Sequence, residues 1–70
     1  MDELTIVTRD VNGYVLKHYL LWDRVCSYIE ENKSIRDTEI LLVIYEGACI
    51  YSALGSDHSL EWDGITGFFA

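Results

Sequence analysis

Beyond Arg36 the chain contains neither lysine nor arginine. Residues 1–36 hold six acids against five bases, a net of −1, whereas residues 37–70 hold six acids and no base, a net of −6. A field of that sign repels nucleic-acid phosphates and attracts basic protein surfaces, so direct DNA or RNA binding is not expected. Cysteine is also scarce. Cys26 and Cys49 are too few for a disulfide framework, and each lies in an apolar stretch where a thiol is expected to act as a small core filler. There is no apolar run of about eighteen residues and no basic segment leading into an apolar one. Neither a membrane span nor a signal peptide is therefore expected, and the expected location is the cytoplasm.

Motifs of chemistry are missing too. Gly13, Gly47, Gly55, Gly64 and Gly67 never assemble into a phosphate-cradling loop. His18, His58, Cys26 and Cys49 show no CxxC or HxxxH spacing, so no metal site and no cofactor are expected. Ser56-Asp57-His58 has the residue types of a hydrolase triad, but neighbours in sequence do not make that geometry, and the segment reads better as a turn. No catalytic residue is assigned, and the chain is read as a non-enzyme.

What is present is enough for one small domain. Half of the 70 residues are hydrophobic, and two Trp, five Tyr and two Phe supply large areas for burial. The unbroken run Ile40-Leu41-Leu42-Val43-Ile44-Tyr45 reads as a strand covered on both faces. Strict alternation sends Leu41, Val43 and Tyr45 one way and Ile40, Leu42 and Ile44 the other. Ahead of it, Leu4 to Arg9 and Tyr14 to Leu20 alternate around Asn12-Gly13, the strongest hairpin signal in the chain. A three-residue loop with Gly13 in a left-handed position pairs Asp10 with Tyr14 and Ile6 with His18. It leaves Thr5, Val7, Arg9, Val15, Lys17 and Tyr19 on a common face.

From Trp22 the period changes. Trp22, Val25, Cys26 and Ile29 mark the apolar stripe of a helix from about Trp22 to Asn32, followed by a loop over residues 33–37. Glu46-Gly47 then turns the central strand into a fourth, Ala48 to Leu54. On simple alternation Cys49, Tyr51 and Ala53 take one face of it and Ala48, Ile50, Ser52 and Leu54 the other. Ser59 is placed to cap a short helical turn through Leu60-Glu61-Trp62-Asp63 that Gly64 would end. The apolar tail Ile65 to Phe69 is left as a sheet cover, an added edge strand or a contact for another protein. The expected architecture is α+β: a small antiparallel sheet in ββαββ order within one domain, residues 1–70. One amphipathic helix covers one face, and a short turn or extra strand closes the chain.

The function expected from these features is protein binding. Glu39, Glu46, Asp57, Glu61, Trp62 and Asp63 place carboxylates beside an aromatic anchor and are the expected partner-binding residues. Tyr45, Tyr51, Phe68 and Phe69 are further expected interface residues. In size, acidity and ββαββ order the chain resembles small phage-encoded inhibitors of bacterial machinery, including anti-CRISPR proteins and DNA mimics. The likeness covers overall character and no motif, so no binding residue carries over from it. It implies a non-catalytic protein, acting in the cytoplasm of a host cell, that occupies a basic nucleic-acid-binding surface on a host protein or CRISPR effector. The alternative is structural: a homodimer or subunit that buries its apolar tail and second sheet face in an interface.

Overall fold

Asn12-Gly13 sets the register of half the sheet. In the computed structural model, which describes residues 3–55, 60–62 and 64–65, strand β1 (Glu3–Arg9) runs antiparallel to β2 (Val15–Leu21). Ile6 stands opposite His18, and the Asp10 N–H donates to the Tyr14 carbonyl at 3.0 Å, as the three-residue loop requires. Gly13 has φ +87°, and the Asp10 carboxylate accepts from the Asn12 and Tyr14 N–H groups at 2.9 Å each. The loop thus satisfies its own backbone donors.

The run expected to be central is central. Strand β3 (Glu39–Tyr45) pairs with β1 on one side and with β4 (Ala48–Ser52) on the other, all antiparallel, in the order β2-β1-β3-β4. Glu46 and Gly47 join β3 to β4 with φ +52° and +82°, the double left-handed turn that suits a two-residue hairpin. Helix α1 (Val25–Glu31) lies between the hairpins, so the element order is ββαββ and the fold is α+β.

Two bulges correct the expected faces. Between β1 and β3, Val7 meets Leu42 and Thr8 meets Ile40, so Leu41 is an extra residue and Ile40 rejoins the side of Val43 and Tyr45. Between β3 and β4, Val43 meets Tyr51 and Ile44 meets Cys49, which makes Ile50 the extra residue. Ala48 and Tyr51 therefore share the inner face, while Cys49 and Ser52 look outward. Cys49 is consequently exposed rather than a core filler, and Cys26 on α1 is half-buried; neither forms a disulfide.

The helix is shorter than expected and its flanks tighten. A 3₁₀ turn over Trp22–Arg24 precedes α1, and a second over Lys33–Asp37 replaces the expected loop. The second turn drives Ile35 into the core. Val25 and Ile29 of the predicted stripe are fully buried against Leu4, Ile6, Ile40 and Val43, together with Trp62 and Ile65. The turn near the C-terminus runs past Gly64: the Ile65 N–H donates to the Glu61 carbonyl at 3.0 Å, and Ile65 is wholly buried. A side chain with a place in the core outweighs glycine's tendency to end a helix. The expected cap at Ser59 and the residues beyond Ile65 lie outside the described residues.

All described elements outside the sheet pack on its inner face. Residues 66–70, part of the apolar tail expected as a possible cover for the second sheet face, lie outside the described residues. The outer face carries buried Val7, half-buried Thr5, Leu42 and Ile44, and exposed Val15, Lys17, Tyr19 and Leu21. Among the described residues no helix is long and apolar enough to cross a membrane.

Candidate functional site

The start of β3 and the segment 60–62 meet in a notch. Two bonds hold the segment there: the Leu60 N–H donates to the Tyr51 hydroxyl at 3.0 Å, and the Trp62 indole N–H donates to the Thr38 carbonyl at 3.0 Å. Thr38 is itself fixed by the Ile35 carbonyl, which accepts from its hydroxyl at 2.6 Å and from its N–H at 3.0 Å. Glu61 lies between the two anchored residues. It lines a cavity of about 280 Å³ together with Asp37, Glu39, Tyr51, Leu60 and Trp62.

This notch gathers several of the expected site residues. Glu39, Glu61, Tyr51 and Trp62 come together from β3, β4 and the C-terminal segment, separated by up to twenty-odd positions in sequence. Trp62 is 5 % exposed, so it is a wall of the notch and part of the core rather than a surface anchor. Glu46 and Tyr45 are not brought in. They sit at the opposite end of β3, roughly 20 Å away at about 3.4 Å per residue. Tyr45 is half-buried and packs edge-on against Trp22, with ring centroids 4.7 Å apart. Asp57, Asp63, Phe68 and Phe69 lie outside the described residues.

Asp37 was missed in the sequence because residues 33–37 read as a plain loop. The turn at Lys33–Asp37 and the strand start at Glu39 bring both residues to the lining of the notch. Among the described residues, one ion pair is seen at the notch. Arg9 meets Glu39 at 2.6 Å, with both side chains about half exposed, so the pair contributes little to stability and remains open to exchange with solvent or another charge. The notch can therefore take a cation with an apolar stem: carboxylates at the mouth, aromatic and aliphatic walls behind.

A second cavity, of about 400 Å³, opens between the first hairpin and α1 near His18. His18 Nε2 is 2.9 Å from the Thr8 hydroxyl and Nδ1 is 2.8 Å from the Tyr28 hydroxyl, so the imidazole bridges two hydroxyls. Burial lowers the His18 pKa, which favours the neutral ring that can donate at one nitrogen and accept at the other. The trio has the bond pattern of a base between a nucleophile and an orienting group. Thr8, however, is 1 % exposed, so its hydroxyl presents almost no surface beyond its bond to His18. The arrangement satisfies polar groups inside the core, and among the described residues no buried side-chain polar atom lacks a partner. Nor does any group of three His, Cys, Asp or Glu among them have the spacing to hold a metal ion.

Comparison with known proteins adds no relative: no family model, no curated protein and no solved structure matches the chain. Function has to be read from the chain's own geometry.

Proposed function

We propose that the chain is a non-enzymatic protein-binding inhibitor or adaptor whose acidic notch receives a basic side chain of its partner. The observation that carries this reading is the convergence of Asp37, Glu39 and Glu61 on one cavity backed by Tyr51 and Trp62. A guanidinium matches such a site better than an ammonium, because its planar fork bonds two carboxylates while its stem and plane lie on aromatic rings. The partner class follows from charge: a basic protein surface, of which nucleic-acid-binding proteins and CRISPR effectors are the kinds that the likeness to phage inhibitors suggests. The net charge of −7 supports fast, salt-sensitive encounter with such a surface.

The test is capture of partners from a bacterial lysate at low and high ionic strength. It uses the native chain beside a variant carrying Asp37→Asn, Glu39→Gln and Glu61→Gln. These amides keep shape and remove charge, so basic proteins held by the native chain at low salt should be lost from the variant. Equal capture by both chains, unaffected by salt, would set the reading aside.

A further inference from the structure

We propose that Arg9 is a built-in competitor for the acidic notch: in the free chain its guanidinium occupies Glu39, and an arginine from a partner has to displace it. This rests on the reading of the notch as a receptor for a basic side chain, and adds how that receptor is restrained. The contact is built by the sheet. The register of β1 on β3 from Leu4 to Val7 would, if continued, set Arg9 opposite Ile40. The extra residue Leu41 shifts it by one place, so Arg9 stands directly opposite Glu39. Directly opposed side chains share a face, and Arg9 Nη2 donates to Glu39 Oε2 at 2.6 Å. Glu39 is at the same time one of the residues that line the notch. The group that the notch is read to receive from outside, a guanidinium, is therefore already seated on one of its carboxylates.

The exposure of the pair sets the strength of the competition. Both side chains are about half exposed, so solvent and salt screen the pair and Arg9 holds Glu39 weakly. Once displaced, Arg9 returns to water at little cost. A pair of this kind lowers the apparent affinity for an incoming cation by about two- to fivefold, in proportion to the time for which Glu39 is taken. The restraint also discriminates between ligands. A single point charge that takes the place of Arg9 exchanges one ion pair for another, whereas a guanidinium that forks onto a second carboxylate of the notch replaces one pair by two.

Titration of the whole ¹⁵N-labelled chain with a short arginine-rich peptide at low salt tests the proposal, comparing Arg9→Gln with Arg24→Gln. Arg24 is an exposed base that follows Leu21, the partner of Glu3, so it lies towards the opposite end of β1, roughly 20 Å from Arg9 at about 3.4 Å per residue. Each variant removes one positive charge, but only Arg9→Gln frees Glu39, and amide spectra that match the native chain away from the substitution show that each folds. Arg9→Gln should bind the peptide about two- to fivefold more tightly than Arg24→Gln. The difference should disappear when Glu39→Gln is added to each, because no carboxylate is left to compete for. Equal affinities, weaker binding by Arg9→Gln, or a difference that survives Glu39→Gln overturns the proposal. The variant carrying Asp37→Asn, Glu39→Gln and Glu61→Gln reports on the notch itself. If it loses the peptide while Arg9→Gln and Arg24→Gln bind alike, the competitor alone is refuted; if it binds as tightly as the native chain, the notch and its competitor fail together.

Discussion

Replacing Trp62 with phenylalanine tests how the notch is held. The ring stays aromatic, but the bond from the indole N–H to the Thr38 carbonyl is lost at a site only 5 % exposed. A lost hydrogen bond costs about 1 kcal/mol, and a carbonyl left unpaired in the interior raises the cost to as much as about 3 kcal/mol. The smaller ring also leaves a void of roughly 40 Å³, which at about 24 cal/mol per Å³ adds about 1 kcal/mol. The sum is about 2–4 kcal/mol. A domain of this length has only about 4–10 kcal/mol in total, so the loss should lower Tm by roughly 10–25 °C. Urea unfolding followed by far-UV circular dichroism measures it. A loss below about 0.5 kcal/mol, the size of an ordinary surface substitution, would mean that Trp62 is not seated in the core. The inner wall of the notch would then be wrongly placed.

Three further outcomes follow from the same geometry. The lowered pKa of His18 means that the folded state favours the neutral ring. Stability is therefore full above the ordinary histidine value of 6.5 and falls as the pH drops through it towards the depressed folded value. Urea midpoints at about pH 7.5 and about pH 5.5 should differ more for the native chain than for His18→Asn, and equal differences would refute the assignment. Gly47→Val forces a β-branched residue into φ +82°, which should cost about 1–2 kcal/mol and lower the thermal midpoint; an unchanged midpoint would show that the turn relaxes. Ile29→Ala removes a side chain that is 1 % exposed between helix and sheet and should cost about 2–5 kcal/mol by denaturant titration, with a loss under about 1 kcal/mol contradicting the packing.

The parts of the fold legible from sequence were those with local punctuation. Asn12-Gly13 fixes the first hairpin because only certain residues accept left-handed turns, and the stripe Trp22, Val25, Cys26, Ile29 marks a helix because its spacing fits one period. The bulges at Leu41 and Ile50 were not legible. Where six successive residues are apolar, no polar marker records which of them the neighbouring strand skips, so simple alternation misassigns Ile40, Cys49 and Tyr51. Local rules also failed where tertiary packing decides. Gly64 reads as a stop, yet Ile65 beyond it is drawn into the core, and the 33–37 loop becomes a turn because Ile35 has a buried place to fill. The notch was half legible: the excess of acids pointed to Glu39 and Glu61, but only the fold shows that Asp37 joins them and that Glu46 stands at the far end of the strand.

The most direct test of the notch as a receptor for a basic side chain is to titrate the ¹⁵N-labelled chain with a short arginine-rich peptide at low and moderate salt, recording amide shifts. The largest changes should fall on Asp37 to Ile40 and Leu60 to Trp62, shrink with salt, and vanish in the variant carrying Asp37→Asn, Glu39→Gln and Glu61→Gln. Small changes spread evenly over every acidic residue, or changes that persist in that variant, would contradict it.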